Sequence, residues 1–149
     1  MAIHFSLSPT ITAQPLNQRL LHQRTEHLLH LLEIANAEVS IVLLDDAEMA
    51  AYNLQYRKKQ GPTNVLSFPA SEGEEGFPVP EHELGDILIS VDTARREAKA
   101  QGHSLHHRLV ELIIHGLLHL IGFDHERSEE EAVRMWDFEK ELFKLLNNL

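Results

Sequence analysis

Alternating apolar and polar residues, or runs of β-branched residues, mark four candidate strands along the chain. They are predicted over residues 2–7, 39–44, 63–68 and 84–89. The third is bounded by Gly61 and Pro62 before it and by Pro69 after it, which favours the edge of a sheet or the rim of a functional site. Residues 70–83 are rich in Gly, Pro and Glu without periodicity, and they predict an exposed loop.

Leucines at helical spacing and capping residues predict five helices. Their predicted ranges are 16–34, 46–56, 91–101, 105–121 and a last helix that begins after Ser128. Capping boxes are formed by Asp45 with Glu48 and by Ser128 with Glu131. The helix over 105–121 is almost wholly apolar and is expected to lie deep in the core. The pattern predicts an α+β fold, a small mixed four-stranded sheet covered by about five helices.

The length and composition of the chain predict one domain that spans residues 1–149. A hydrophobic content of 43% in 149 residues is enough for one core, and the chain is too short to suggest two. We find neither a secretory leader pattern nor an apolar stretch of membrane-spanning length, so we expect a cytoplasmic protein. Because the chain has no Cys, a metal would be bound by imidazole, carboxylate or water.

The net charge of −10 argues against loose attraction to RNA. Nonspecific affinity for nucleic acid comes largely from Lys and Arg that neutralise phosphates, and this chain has 13 of them against 23 acidic residues. The acids cluster over 72–83 and 126–141, whereas Arg57, Lys58 and Lys59 form a basic run. A local basic groove is therefore compatible with the sequence.

Three histidines have the spacing of metal ligands. His115 and His119 are four residues apart on a predicted helix, so they lie about 40° apart around its axis and one turn apart along it. Gly122 favours a turn after this helix that brings Asp124 and His125 back toward the pair. Three imidazoles would leave the fourth tetrahedral position of a zinc ion open to water, as in catalytic zinc sites. Zinc would lower the pKa of that water toward neutrality and make it a nucleophile.

A simpler interpretation is that these are core histidines whose ring nitrogens are satisfied by hydrogen bonds. For any one of them, that interpretation is the better one. Together, three imidazoles at this spacing are easier to explain as ligands, because two of them lie on an apolar helix where an unpaired polar ring is costly. We therefore predict one Zn²⁺ per chain, bound by His115, His119 and His125.

The segment HGLLHLIGFDH over 115–125 resembles the signature of the bacterial rRNA maturation factor family YbeY, whose three histidines bind zinc. Two upstream segments resemble the same family: YR at 56–57 with TNVLSFP at 63–69, and LGDI at 84–87 with IS at 89–90. The resemblance covers most of the chain from about Tyr52 to Glu126, in the family's order and spacing. One difference is Phe123, where many members carry Tyr.

The resemblance implies a single-strand-specific, zinc-dependent endoribonuclease that helps to mature the 3′ end of 16S rRNA and takes part in ribosome quality control. The implied partners are single-stranded rRNA and the small ribosomal subunit, with ribosomal proteins and an assembly GTPase as further candidates, and neither DNA nor a membrane. The resemblance also places Arg57 near the metal, where a guanidinium can stabilise charge on phosphate oxygens. Without it, Arg57 would be interpreted as an ordinary solvated residue. Arg57 and His115 are the predicted catalytic residues.

Two aspartates within these segments have open roles. Asp86 either orients a ligand or loop near the metal or is a hydrogen-bonding residue at a strand edge. Asp124 is predicted to cap the turn after the metal helix or to orient a ligand imidazole, in preference to acting as a catalytic base.

Two other functions remain compatible with the same residues. A zinc metalloprotease shares the two histidines four apart, but such proteases carry Glu directly after the first one, where this chain has Gly116. A non-catalytic ribosome assembly factor with a structural zinc would suit the net acidity, and it predicts that removal of the metal unfolds the protein.

Overall fold

The computed structural model describes residues 3–11, 16–70, 82–124 and 126–147. The strands are β1 Ile3–Leu7, β2 Glu38–Leu44, β3 Val65–Pro69 and β4 Glu83–Ser90. The helices are α1 Gln18–Leu31, α2 Asp46–Arg57, α3 Val91–Gln101, α4 Leu105–Leu120 and α5 Glu129–Asn147. Each predicted element is present, and the α+β prediction is confirmed; most of the predicted loop over 70–83 lies outside the described residues. Among the described residues, no helix is both long and apolar enough to span a membrane.

The four strands form one mixed sheet in the order β1-β2-β4-β3. β2 is parallel to both β1 and β4, whereas β3 is antiparallel to β4. β3 is thus an edge strand, as its bounding prolines predicted, and β4 is an inner strand.

Alternation along β4 divides the sheet into two faces. Ile87 and Ile89 lie in the main core together with α1, α3, α4 and α5, whereas Leu88 lies in a smaller cluster with Met49 of α2. α2 covers only part of this second face, because Asp86 remains exposed there, one pleat from Leu88. Four helices therefore pack on one face, and a partly open surface remains on the other.

α4 is the central helix of the main core. Leu109, Ile113 and Leu117 are almost completely buried, which contributes roughly 1.5–3 kcal/mol per side chain. Gly116 allows the helix to approach the sheet closely, because a Cβ at this position would lie 2.8 Å from Cγ2 of Ile87. The prediction of a deeply buried helix is confirmed, and it gives the residues on α4 a fixed position relative to the sheet.

A side chain caps the start of each of the five helices. The capping box of Asp45 and Glu48 is complete, and Ser90 accepts a hydrogen bond from the amide of Thr93 at 3.3 Å. Ser128 accepts one from the amide of Glu131 at 3.1 Å. Each cap contributes about 1 kcal/mol.

Candidate metal centre

α4 brings His115 and His119 together, as their spacing predicted. Their Nε2 atoms lie 3.1 Å apart, and the ring centroids are separated by 4.6 Å. Both side chains are only partly buried, in the C-terminal half of a helix whose fully buried positions are all apolar or Gly. The two nitrogens therefore point to one shared location at the edge of the core.

Glu139 of α5 orients His115. Its Oε1 lies 2.7 Å from Nδ1 of His115, and both side chains are mostly shielded from solvent. When Nδ1 donates its hydrogen to this carboxylate, the lone pair of the imidazole is on Nε2, which faces His119. A carboxylate that fixes the tautomer of a histidine in this way is typical of metal-ligating histidines. Glu139 was not predicted from the sequence, because its contact with His115 depends on how α4 and α5 pack.

The geometry of the pair fits zinc. Two nitrogens bound to one tetrahedral Zn²⁺ at its usual bond length lie about 3.3 Å from each other, close to the 3.1 Å between the Nε2 atoms here. The predicted third ligand, His125, lies outside the described residues. Within those ranges, no three His, Asp or Glu side chains converge on one point. The described residues thus supply two nitrogens of the proposed ligand set and leave the third as a prediction.

An open cavity of about 590 Å³ surrounds the pair, and we call it the histidine cavity. It is lined by residues from β3, by the end of α4 and its following turn, and by Arg57, the last residue of α2. The third predicted strand borders this cavity, since Val65, Ser67 and Pro69 all line it. The cavity is large enough and open enough to admit part of an extended substrate.

Arg57 lies in the histidine cavity, as the resemblance implied. Its Nη2 donates to Oε1 of Glu126 at 3.2 Å, but both side chains are largely exposed, so this pair contributes little to stability. Arg57 also lines a second cavity of about 810 Å³ on the open face of the sheet. Arg57 is thus a cation at the junction of two accessible surfaces.

The two aspartates have different positions. Asp124 accepts a hydrogen bond from the amide of Glu126 at 2.8 Å, which confirms the predicted cap of the turn. Asp86 lies on the inner strand β4, so the interpretation as a strand-edge residue is wrong. Asp86 lines the cavity on the open face of the sheet and does not line the histidine cavity. A role in orienting a ligand of the metal is therefore not supported.

The position after His115 faces the sheet. Because a Cβ on Gly116 would already lie 2.8 Å from Cγ2 of Ile87, a Glu at this position could not enter without displacing that buried side chain. Metalloproteases carry a Glu directly after the first histidine. This chain lacks that Glu, and the packing of Gly116 against Ile87 disfavours it, which argues against the protease alternative.

The histidine pair and Arg57 line one open cavity of an α+β fold, and Glu139 orients one of the two imidazoles from behind, so the cavity combines groups that can bind a metal ion with a group that can bind an anion. The family model described as Endoribonuclease YbeY matches residues 8–147. The chain belongs to the YbeY family.

Individual relatives agree with the family model. The chain is 44% identical to the endoribonuclease YbeY of Geobacter sulfurreducens over 135 residues, 90% of this chain and 89% of that protein. It is 42% identical to the endoribonuclease YbeY of Aquifex aeolicus over 122 residues, 82% of this chain and 79% of the relative. The relatives' names confirm, at the level of the family, the prediction of a hydrolase that acts on RNA.

The fold also matches a solved structure. The solution structure of TM1509 from Thermotoga maritima has a TM-score of 0.65 and 25% sequence identity, and the match covers 97% of this chain and 88% of that one. The mixed sheet and its helices are thus the fold of a known protein.

Proposed function

We propose that this protein is a zinc-dependent endoribonuclease that cleaves unpaired RNA and matures the 3′ end of 16S rRNA on the small ribosomal subunit. The observation that carries the proposal is the position of Arg57 in the same open cavity as two histidines whose Nε2 atoms lie 3.1 Å apart, in a chain of the YbeY family. A role in ribosome quality control, in the cytoplasm, belongs to the same proposal.

Each residue of the cavity has a task in this proposal. His115 and His119 hold the metal together with His125, and Glu139 keeps His115 in the tautomer that presents Nε2. When bound, zinc supplies positive charge and lowers the pKa of water. Arg57 binds the non-bridging oxygens of the phosphate that is cleaved, because its planar guanidinium can donate two parallel hydrogen bonds to them.

Selectivity for unpaired RNA has a geometric basis. The histidines line a cavity together with β3 and the turn after α4, and we propose that a rigid double helix cannot bring its backbone to them. An unpaired strand can bend its backbone into the cavity, so we propose that loops and ends are the cleaved regions.

The direct test is cleavage of a single-stranded 16S rRNA 3′ fragment by the purified protein, with zinc content recorded by mass spectrometry. We expect cleavage of the fragment, little cleavage of the same fragment annealed to its complement, loss of activity on chelation and recovery with Zn²⁺. Equal cleavage of both RNAs, or activity that survives complete chelation, would contradict the proposal.

The second candidate is a non-catalytic assembly factor with a structural zinc, and the net charge of −10 favours it. Circular dichroism of the chelated protein separates the two candidates. Retained structure with lost cleavage supports the enzyme, whereas unfolding on chelation without prior cleavage supports the assembly factor.

The replacement of Glu139 by Gln is expected to weaken zinc binding about 10- to 100-fold, because the amide is a weaker acceptor for Nδ1 of His115 and carries no charge. A competition titration against a chromophoric chelator measures this change. Glu141→Gln is the matched control, since it removes the same charge from an exposed position two residues away on α5. Equal zinc affinity of the two variants would show that Glu139 does not position a ligand.

A further inference from the structure

A second groove lies on the other side of His115, between α4 and α5. It has a volume of about 510 Å³ and shares Asn64, Val65 and His115 with the histidine cavity. Its α5 wall includes Trp136, Lys140 and Lys144, and we call it the tryptophan groove. Because the two cavities have three residues in common, they are adjacent on the surface of the protein.

Trp136 is exposed on a helix that buries other apolar side chains. Its exposed fraction is 57%, whereas Met135 and Leu142 of the same helix are almost completely buried. The Nζ of Lys140 lies 3.4 Å from the centroid of the indole ring, within range of a cation–π interaction. An accessible indole beside a cation is a platform on which proteins stack an unpaired base next to its phosphate.

The charged side chains of the tryptophan groove suit a polyanion, although the net charge of the whole chain is −10. Glu111 is paired with Arg108 at 3.2 Å, and Glu139 with His115 at 2.7 Å, so both acidic residues of the groove have cationic or hydrogen-bonding partners. In the part of the chain that the structure describes, neither Lys140 nor Lys144 forms an ion pair with a carboxylate. Neither ammonium group is neutralised by a carboxylate there, and the Nζ of Lys140 lies where it can contact both the indole ring and a phosphate beside it.

We propose that the tryptophan groove binds an unpaired segment of the RNA substrate that flanks the cleaved phosphate, with a base stacked on Trp136 and phosphates on Lys140 and Lys144. The inference rests on the proposed function, since it names the second contact surface for the same RNA. It explains how a protein of net charge −10 holds a polyanion: affinity comes from one aromatic platform and two local cations.

The intrinsic fluorescence of the protein tests the groove directly, because Trp136 is the only Trp in the chain. We expect an unpaired oligoadenylate to quench this fluorescence when mixed with the zinc-loaded protein by stopped flow, before product accumulates. A blunt RNA duplex of the same length is expected to produce little quenching, since its bases are already stacked.

Substitutions at Trp136 separate stacking from folding. We expect Trp136→Ala to weaken binding of the labelled oligoadenylate, measured by anisotropy, and to raise KM by about five- to a hundredfold, with kcat near that of the unchanged protein. Trp136→Phe keeps an aromatic face and should recover most of the affinity. Leu145→Ala is the control, since Leu145 is also exposed and lies about 180° around α5 from Trp136.

The two lysines are tested through salt dependence. The double substitution Lys140→Gln with Lys144→Gln should reduce the slope of log affinity against log salt concentration by about 1.4, because each phosphate contact on a single strand contributes about 0.7. An unchanged slope would contradict the assignment of phosphates to these residues.

The outcomes distinguish this inference from the proposed function. RNA cleavage that is unaffected by Trp136→Ala, without quenching of Trp136 by oligoadenylate, would overturn the inference while the nuclease stands. Quenching and weaker binding of the Trp136→Ala variant, in a protein that cleaves no RNA, would support the groove as an RNA site and overturn the nuclease.

Discussion

Replacement of His115 by Ala is expected to remove zinc from the protein and to lower RNA cleavage by on the order of a thousandfold. The Nε2 of His115 lies 3.1 Å from that of His119, so its loss leaves one nitrogen of the described pair. Several kcal/mol of transition-state stabilisation depend on the metal, and each 1.4 kcal/mol corresponds to a factor of ten in rate. Zinc stoichiometry by mass spectrometry and the single-stranded cleavage assay measure the two effects on the same samples.

The matched control is His30→Ala, which removes an exposed imidazole from α1 that does not line the histidine cavity. It should keep both zinc and activity. Far-UV circular dichroism checks that the His115 variant remains folded, since part of the main core lies next to this residue on α4. A folded His115→Ala protein that still binds one zinc would show that the ligand assignment is wrong.

The sequence predicted the histidine pair because the geometry of a helix is local. A separation of four residues fixes the relation between His115 and His119 without knowledge of the rest of the fold. The strands and caps were predictable for the same reason, and the edge position of β3 followed from its prolines. Each of these features depends on residues close together in sequence.

Contacts between distant segments were not predictable from local patterns. Glu139 reaches His115 across the interface of α4 and α5, 24 residues further along the chain, and no spacing rule connects them. Arg57 was placed near the metal only through the family resemblance, since 58 positions separate it from His115. Tertiary packing creates both relations.

The separation of Asp86 from the histidine pair follows from the alternation of residues along β4. Ile87 and Ile89 alternate along β4 and belong to the face that packs against α4, so Asp86, one residue before Ile87, must lie on the opposite face. The parity of the strand thus separates Asp86 from the histidine pair, although both lie in segments typical of one family.

Exposure of Trp136 illustrates the limit of hydrophobic patterns. α5 carries more apolar residues than one face can bury, and only the packed structure shows that Met135, Leu142 and Leu146 are buried while Trp136 is exposed. Trp136, an apolar residue that stays exposed, lines the groove beside His115. An exposed apolar residue departs from the rules of core packing, and such departures are expected at binding surfaces.

Replacement of Arg57 by Ala is expected to lower kcat about 10²- to 10³-fold while zinc stoichiometry stays at that of the unchanged protein. Arg57 lines the histidine cavity and donates to Glu126, so it can bind phosphate without contributing to the fold. Arg57→Lys keeps the charge and loses the planar pair of donors, and its kcat should lie between those of Arg57→Ala and the unchanged protein. Single-turnover cleavage of the 16S rRNA fragment at saturating protein measures the effect on chemistry apart from binding.

Lys59→Ala is the matched control for Arg57, because it removes one positive charge two residues away from an exposed side chain that lines neither cavity. It should change kcat little, whereas Glu126→Gln, which releases Arg57 from its ion pair, should leave kcat equal or higher. Equal losses in the Lys59 and Arg57 variants would mean that the basic run acts only through its overall field. A loss specific to Arg57, with zinc retained, would mean that the guanidinium acts on the reacting phosphate, because neither folding nor metal binding changes with it.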